Sequence, residues 1–175
     1  LVSTPALQFG LRLDKPQPEE KAVLRLFEYL LINGKSSRLY RLLVNRERIA
    51  LYLNGGLEDR RGFISLKIFL LANNQIMIDR SKKLISDELT KLKLEMVSER
   101  ELIKAKNKYR YDFWSQLTTT NLARALTLTE FYLDRGQLPD PDRELAAINT
   151  VTSYSILALA RKYLQESKYC FVTIL

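Results

Sequence analysis

Few residues of this sequence could do chemistry, and most of what they show is what is missing. Histidine does not occur, and cysteine occurs once, at Cys170. The chain alone therefore cannot assemble a histidine-based zinc site, a Ser-His-Asp triad or a Cys-His dyad. One cysteine also excludes an internal disulfide framework and a Cys-rich zinc module. Cys170 lies in the apolar segment 169–175, where an inert core thiol is expected. Ser36-Ser37 has no base nearby in sequence and reads as a helix cap. The acid pairs Glu19-Glu20 and Asp140/Asp142 stand at helix starts, where they compensate the helix dipole. Asn54-Gly55-Gly56 lacks the strand–loop–helix context of a phosphate cradle. Tyr109, Tyr111, Phe113 and Trp114 form an aromatic run that reads as core packing. No self-contained active site emerges from these candidates, and no metal-ligating set does either.

The elements that would position these residues follow from periodicity. Leu7, Phe9, Leu11 and Leu13 alternate with Gln8, Gly10 and Arg12, as in a half-buried strand. Lys15-Pro16-Gln17-Pro18 breaks that strand, and Pro18 opens a helix carrying Val23, Phe27, Leu30 and Leu31 up to Asn33-Gly34. Ser36 or Ser37 then caps a short helix with Leu39, Leu42 and Leu43. A strand is predicted over 49–53, with Ile49, Leu51 and Leu53 on one face. Residues 54–62 read as a turn-rich loop. A longer strand follows over 63–71, with Ile64, Leu66, Ile68 and Leu70 on one face. The second half is helical: Ile78, Ile85, Leu89 and Leu92 stripe one helix. Ser98 and Glu101 frame a capping box for the next, which carries Leu102, Ala105, Tyr109 and Phe113. Leu122, Leu126, Thr129 and Leu133 stripe a further helix that Gly136 ends. Leu145 and Ile148 mark a short helix, Thr152 or Ser153 caps the last one, and 169–175 closes as a strand. The expected fold class is α+β, an antiparallel or mixed sheet with helices on one face, in a single domain over 1–175. Its other face would show Gln8, Arg12, Tyr52, Asn54, Ser65 and Lys67.

The 175 residues carry 28 Lys/Arg against 20 Asp/Glu, a net charge of +8. The excess is spread along helices. Between Gln75 and Arg110, ten basic and six acidic residues interleave, which reads as a solvated helix face and not as a nucleic-acid site. No apolar run reaches the roughly 18 residues of a membrane span. One cysteine suits cytoplasm and bacterial periplasm equally. The sequence opens at Leu1 directly before a strand, as a piece cut from a longer chain would.

The segment Ser36-Ser37-Arg38-Leu39-Tyr40-Arg41-Leu42-Leu43-Val44 resembles the signature of the non-catalytic C-terminal half of pitrilysin/insulinase-type zinc metallopeptidases, the group that includes the mitochondrial processing peptidase. Residues 98–107 resemble that group's capping-box helix. Residues 145–152 and 160–164 resemble its closing helices. The resemblance implies one half of a clamshell whose other, homologous half holds zinc through His-x-x-Glu-His. The absence of histidine agrees with the companion half. It further implies a partner, the zinc-bearing domain of the same chain or of a second subunit, and a peptide substrate; a homodimer is compatible with it. An alternative within the family is a structural or interaction subunit that has lost zinc. Active members contribute an Arg and a Tyr to the bound peptide in a pattern like Arg-Glu-x-x-x-Ala-Tyr. Aligning Arg-Glu places these at Arg46 and Tyr52. Aligning Ile49-Ala50 instead places Asn45 and Leu51 there. Strand parity favours the first pair, because Tyr52 would then face the polar side.

Overall fold

The computed structural model describes residues 4–14, 16–60 and 63–174. Among these residues four strands form one antiparallel sheet: β1 (Ala6–Asp14), β2 (Ala50–Arg60), β3 (Phe63–Ala72) and β4 (Tyr169–Ile174), in the order β2-β3-β1-β4. Helices α1 (Glu20–Leu31), α2 (Gln75–Leu94), α3 (Glu99–Thr118), α4 (Asn121–Arg135), α5 (Pro141–Thr150) and α6 (Ser153–Tyr163) complete the fold, with a π-helix at Tyr40–Arg46. α1 is the central helix and packs against α3, α5 and α6.

The alternation read from sequence decides which face is covered. Leu7, Phe9, Leu11 and Leu13 on β1, and Ile64, Leu66, Ile68 and Leu70 on β3, are all buried. Their register, with Phe9 opposite Ile68 and Leu11 opposite Leu66, puts both sets on one face. A slip of one residue would expose all eight, so burial fixes the pairing. Ile78, Ile85, Leu89 and Leu92 of α2 and Leu102 and Ala105 of α3 join the same core. The helix ends follow their capping residues. The Ser98/Glu101 box starts α3, Asp140 and Pro141 start α5, and Thr152 starts α6 with a box closed by Ser155. Gly136, at φ +69°, ends α4.

Four expectations are corrected. The loop expected over 54–62 is not one up to residue 60: β2 runs through Asn54-Gly55-Gly56 to Arg60, and positions 61 and 62 lie outside the described residues. The two glycines are tolerated because the chain is crowded there. A Cβ on Gly55 would lie 2.4 Å from the Lys67 carbonyl oxygen, and one on Gly56 would lie 2.8 Å from a Glu28 carboxylate oxygen. They mark close approach, which in a strand looks like turn chemistry. Second, Leu51 does not share a face with Ile49 and Leu53. A bulge between Ala50 and Tyr52 leaves Leu51 outside the register, and it is exposed while Ile49 is buried. Third, the Leu122/Leu126/Leu133 stripe of α4 does not enter the core; these side chains are exposed. α4 turns its opposite face inward, burying Thr127 and setting Phe131 edge-on to Phe113 of α3. Fourth, Cys170 is exposed, because its parity places it on the uncovered face of the edge strand β4.

Candidate functional site

The face of the sheet away from the helices carries four rows of side chains, fixed by the strand registers. They read Ile174, Ala6, Leu71, Tyr52; then Val172, Gln8, Phe69, Asn54; then Cys170, Gly10, Lys67, Gly56; then Arg12, Ser65, Glu58. All six residues expected on the polar face are there. The face is nonetheless graded: one end is apolar, built from Leu71, Phe69, Val172 and Ile174, and the other is charged. At the charged end Lys67 pairs with Glu58, and the Arg12 guanidinium stacks 5.0 Å over the Phe63 ring.

Tyr52 lies at the corner where the apolar end meets the edge strand β2. It is 48% exposed and contacts Phe69 edge-to-face, with ring centroids 6.2 Å apart. Alternation with Leu53 puts it there, opposite Leu71, while the bulge takes up Leu51 and keeps Ala50 on the covered face. Arg46 ends the π-helix one short turn earlier. Its side chain is 79% exposed and its nearest ionic contact is Glu47, at 3.5 Å. Between them Arg48 takes a left-handed conformation, at φ +54°. That reversal, uncommon for a residue with a side chain, feeds the helix end directly into the strand. Asn45 is also exposed, so the alternative pair, Asn45 and Leu51, is also solvent-facing.

The Ser-Ser-Arg-Leu-Tyr segment positions this corner through a buried ion cluster. Arg38 donates to Glu101 at 2.9 and 3.2 Å and to Glu88 at 3.1 Å, tying the start of the π-helix to α3 and α2. Burial alone would raise the Glu101 carboxyl. The Arg38 hydrogen bonds and charge outweigh it and hold the group below its usual range. Arg41 adds a more exposed contact to Glu101 at 3.1 Å. Ser37, expected as a cap, is buried, and its hydroxyl finds no hydrogen-bond partner among the described residues. The helix it precedes widens to i→i−5 bonding, as in Glu47 N–H to the Leu42 carbonyl, a form concentrated at functional sites.

Two features were invisible in sequence. A cavity of about 280 Å³ opens beside β2, lined by Ile32, Gly34, Tyr40, Leu53, Asn54 and Gly55. Next to it the Glu28 carboxylate of α1 is buried and accepts from the Leu57 backbone N–H. Burial pushes this carboxyl up, against the opposing charge of Arg25 and the Leu57 bond. α1 thereby covers one stretch of the β2 edge. These groups are distant in sequence, and no periodicity predicts their meeting. No cluster of three or more His, Cys, Asp or Glu is placed to hold a metal ion among the described residues.

Residues 1–109 match the family model described as the peptidase M16 inactive domain. No curated protein sequence matches the chain significantly. Among solved structures, a protease from Helicobacter pylori is 22% identical with a TM-score of 0.86, covering 98% of this chain and 41% of that one. A peptidase M16 inactive domain from Pseudomonas fluorescens is 19% identical with a TM-score of 0.76, covering 98% and 40%. An inactive peptidase domain from Bordetella parapertussis is 18% identical with a TM-score of 0.79, covering 98% and 92%. The chain thus spans about two fifths of the length of the first two and nearly all of the third.

Proposed function

This chain belongs to the peptidase M16 inactive-domain family, and we propose that it is the substrate-binding companion half of a zinc endopeptidase. The other half would supply zinc, its activated water and the bond-breaking chemistry. This chain would close the chamber with its open sheet face and hold an extended peptide there. Tyr52 carries the reading. It is a phenol on the uncovered face, at a corner beside a bulge, with no core role that requires its hydroxyl. An extended peptide presents backbone carbonyls, which accept hydrogen bonds from a phenol or a guanidinium. Tyr52 and Arg46 are assigned these roles, with Arg46 swinging in from solvent. The apolar end, Phe69 and Leu71, would take an apolar side chain of the peptide.

The test is a titration of isotope-labelled chain with an extended apolar peptide, followed by backbone amide shifts. Shifts at Tyr52, Asn54, Phe69 and Leu71 are expected. Shifts confined to the helices, or none at millimolar peptide, would favour the family's other reading, a structural subunit without substrate contacts.

A further inference from the structure

The outer face of α3 has a composition that its neighbours do not explain. Arg100, Ile103, Lys104, Arg110, Tyr111 and Trp114 recur at three- and four-residue spacing, so they share one side of the helix. From Arg100 to Trp114 this row is about 21 Å long. Ile103 is 54% exposed, Tyr111 72% and Trp114 43%. The aromatic run expected in the core thus splits: Phe113 is buried and Tyr109 half-buried, while Tyr111 and Trp114 face out.

No acid interrupts the row. Each acid of α3 is engaged elsewhere: Glu99 accepts from the Ser153 hydroxyl, Glu101 is held by Arg38 and Arg41, and Asp112 pairs with Lys108 at 2.8 Å. Arg100 and Lys104 have no ion-pair partner among the described residues. Arg110 is oriented by Asn107 and Asn149, at 3.0 Å each, and keeps its charge uncompensated.

We propose that this face of α3 docks the protein on an anionic phospholipid surface. The three cations complement lipid phosphates. Trp and Tyr are the side chains that settle at a membrane–water interface, with an apolar body and a polar tip. Ile103 adds aliphatic area that enters the headgroup boundary. A phosphate-only ligand such as a nucleic acid would use the cations and leave Ile103 in water. No helix among the described residues is long and apolar enough to cross a membrane, and the proposed contact is peripheral.

Trp114 is the single tryptophan of the sequence, so its emission reports on this face alone. The intact chain is mixed with vesicles of phosphatidylcholine containing about one third phosphatidylglycerol. Binding follows from co-sedimentation, and insertion from the blue shift of Trp114 and its quenching by bromine-labelled lipid. Binding is expected at low salt and should weaken steeply as salt screens it. Each cation near such a surface is worth about fivefold in partitioning, so Arg100→Gln with Lys104→Gln should weaken binding about 30-fold. Ile103→Gln should reduce the blue shift while sparing most of the salt-dependent binding. Failure to bind anionic vesicles would overturn the proposal. So would binding that the double substitution leaves unchanged, or Trp114 responding to an oligonucleotide or polyglutamate but not to vesicles.

Discussion

Replacing Arg38 by methionine removes the cation shared by Glu88 and Glu101. The side chains of Arg38, Glu88 and Glu101 are 14%, 11% and 24% exposed. Breaking a buried pair by deleting one partner costs roughly 3–5 kcal/mol, because the remaining charges are left uncompensated. Two other cations stay nearby. Arg41 lies 3.1 Å from Glu101 and Lys91 lies 3.8 Å from Glu88, but both are more than half exposed, and such contacts are worth about 0–1 kcal/mol. A net loss of about 3 kcal/mol is therefore expected, which at this chain length lowers Tm by roughly 6–12 °C. pH supplies an independent handle. The folded-state pKa of Glu101 is depressed, so its contribution is present above the unfolded value near 4.5 and is lost as pH falls through the folded value. Arg38→Met removes the main cause of that depression. The difference between wild type and variant should be largest at pH 7 and shrink on acidification below pH 4.5. Arg41→Met serves as the exposed control and should cost no more than about 1 kcal/mol. Thermal melts by circular dichroism from pH 3 to 7 read all of this. A loss below 1 kcal/mol, a loss equal to that of Arg41→Met, or a gap independent of pH would refute the reasoning.

Gly55→Ala should destabilise by about 1–3 kcal/mol, since the new methyl meets the Lys67 carbonyl and Ile32 and the strand must shift. Gly10→Ala meets only Cys170 Sγ at 3.8 Å, and urea denaturation should show it neutral or up to about 1 kcal/mol more stable. Glu28 has a raised folded-state pKa, so its ionised form opposes folding above that value and the penalty is relieved as pH falls toward the unfolded value near 4.5. Glu28→Gln keeps an acceptor for the Leu57 N–H. It should have a higher Tm than wild type at pH 7, with the advantage gone by about pH 4.5; melts at the two pH values check it.

Legibility in the sequence followed the physics of each element. The eight apolar positions of β1 and β3, the α2 stripe and the Ser98/Glu101 capping box were readable, because period and local hydrogen bonding determine them. The extent of β2 was not, since Gly55 and Gly56 serve close packing against Lys67 and Glu28, groups distant in sequence. The bulge at Leu51 broke a parity that looked continuous, although the parity argument still put Tyr52 on the uncovered face. For α4 the periodicity found an apolar stripe but could not say which side is inward: Thr127 is buried and Phe131 meets Phe113 of α3, while the leucines are exposed. Arg38 was visible as part of a resemblance, whereas its physical role required the carboxylates of Glu88 and Glu101, 50 and 63 residues away.

The central claim is that Tyr52 serves a bound peptide and not the fold. The most direct measurement compares kcat/KM and Tm for Tyr52→Phe and wild type in the proposed zinc endopeptidase. One well-placed donor to a developing oxyanion is worth on the order of 3 kcal/mol, about a hundredfold in turnover. Because the substitution removes only a hydroxyl from a half-exposed ring, Tm should move by less than about 1 °C. A hundredfold fall in turnover at unchanged Tm is the predicted result. Unchanged turnover would contradict the account.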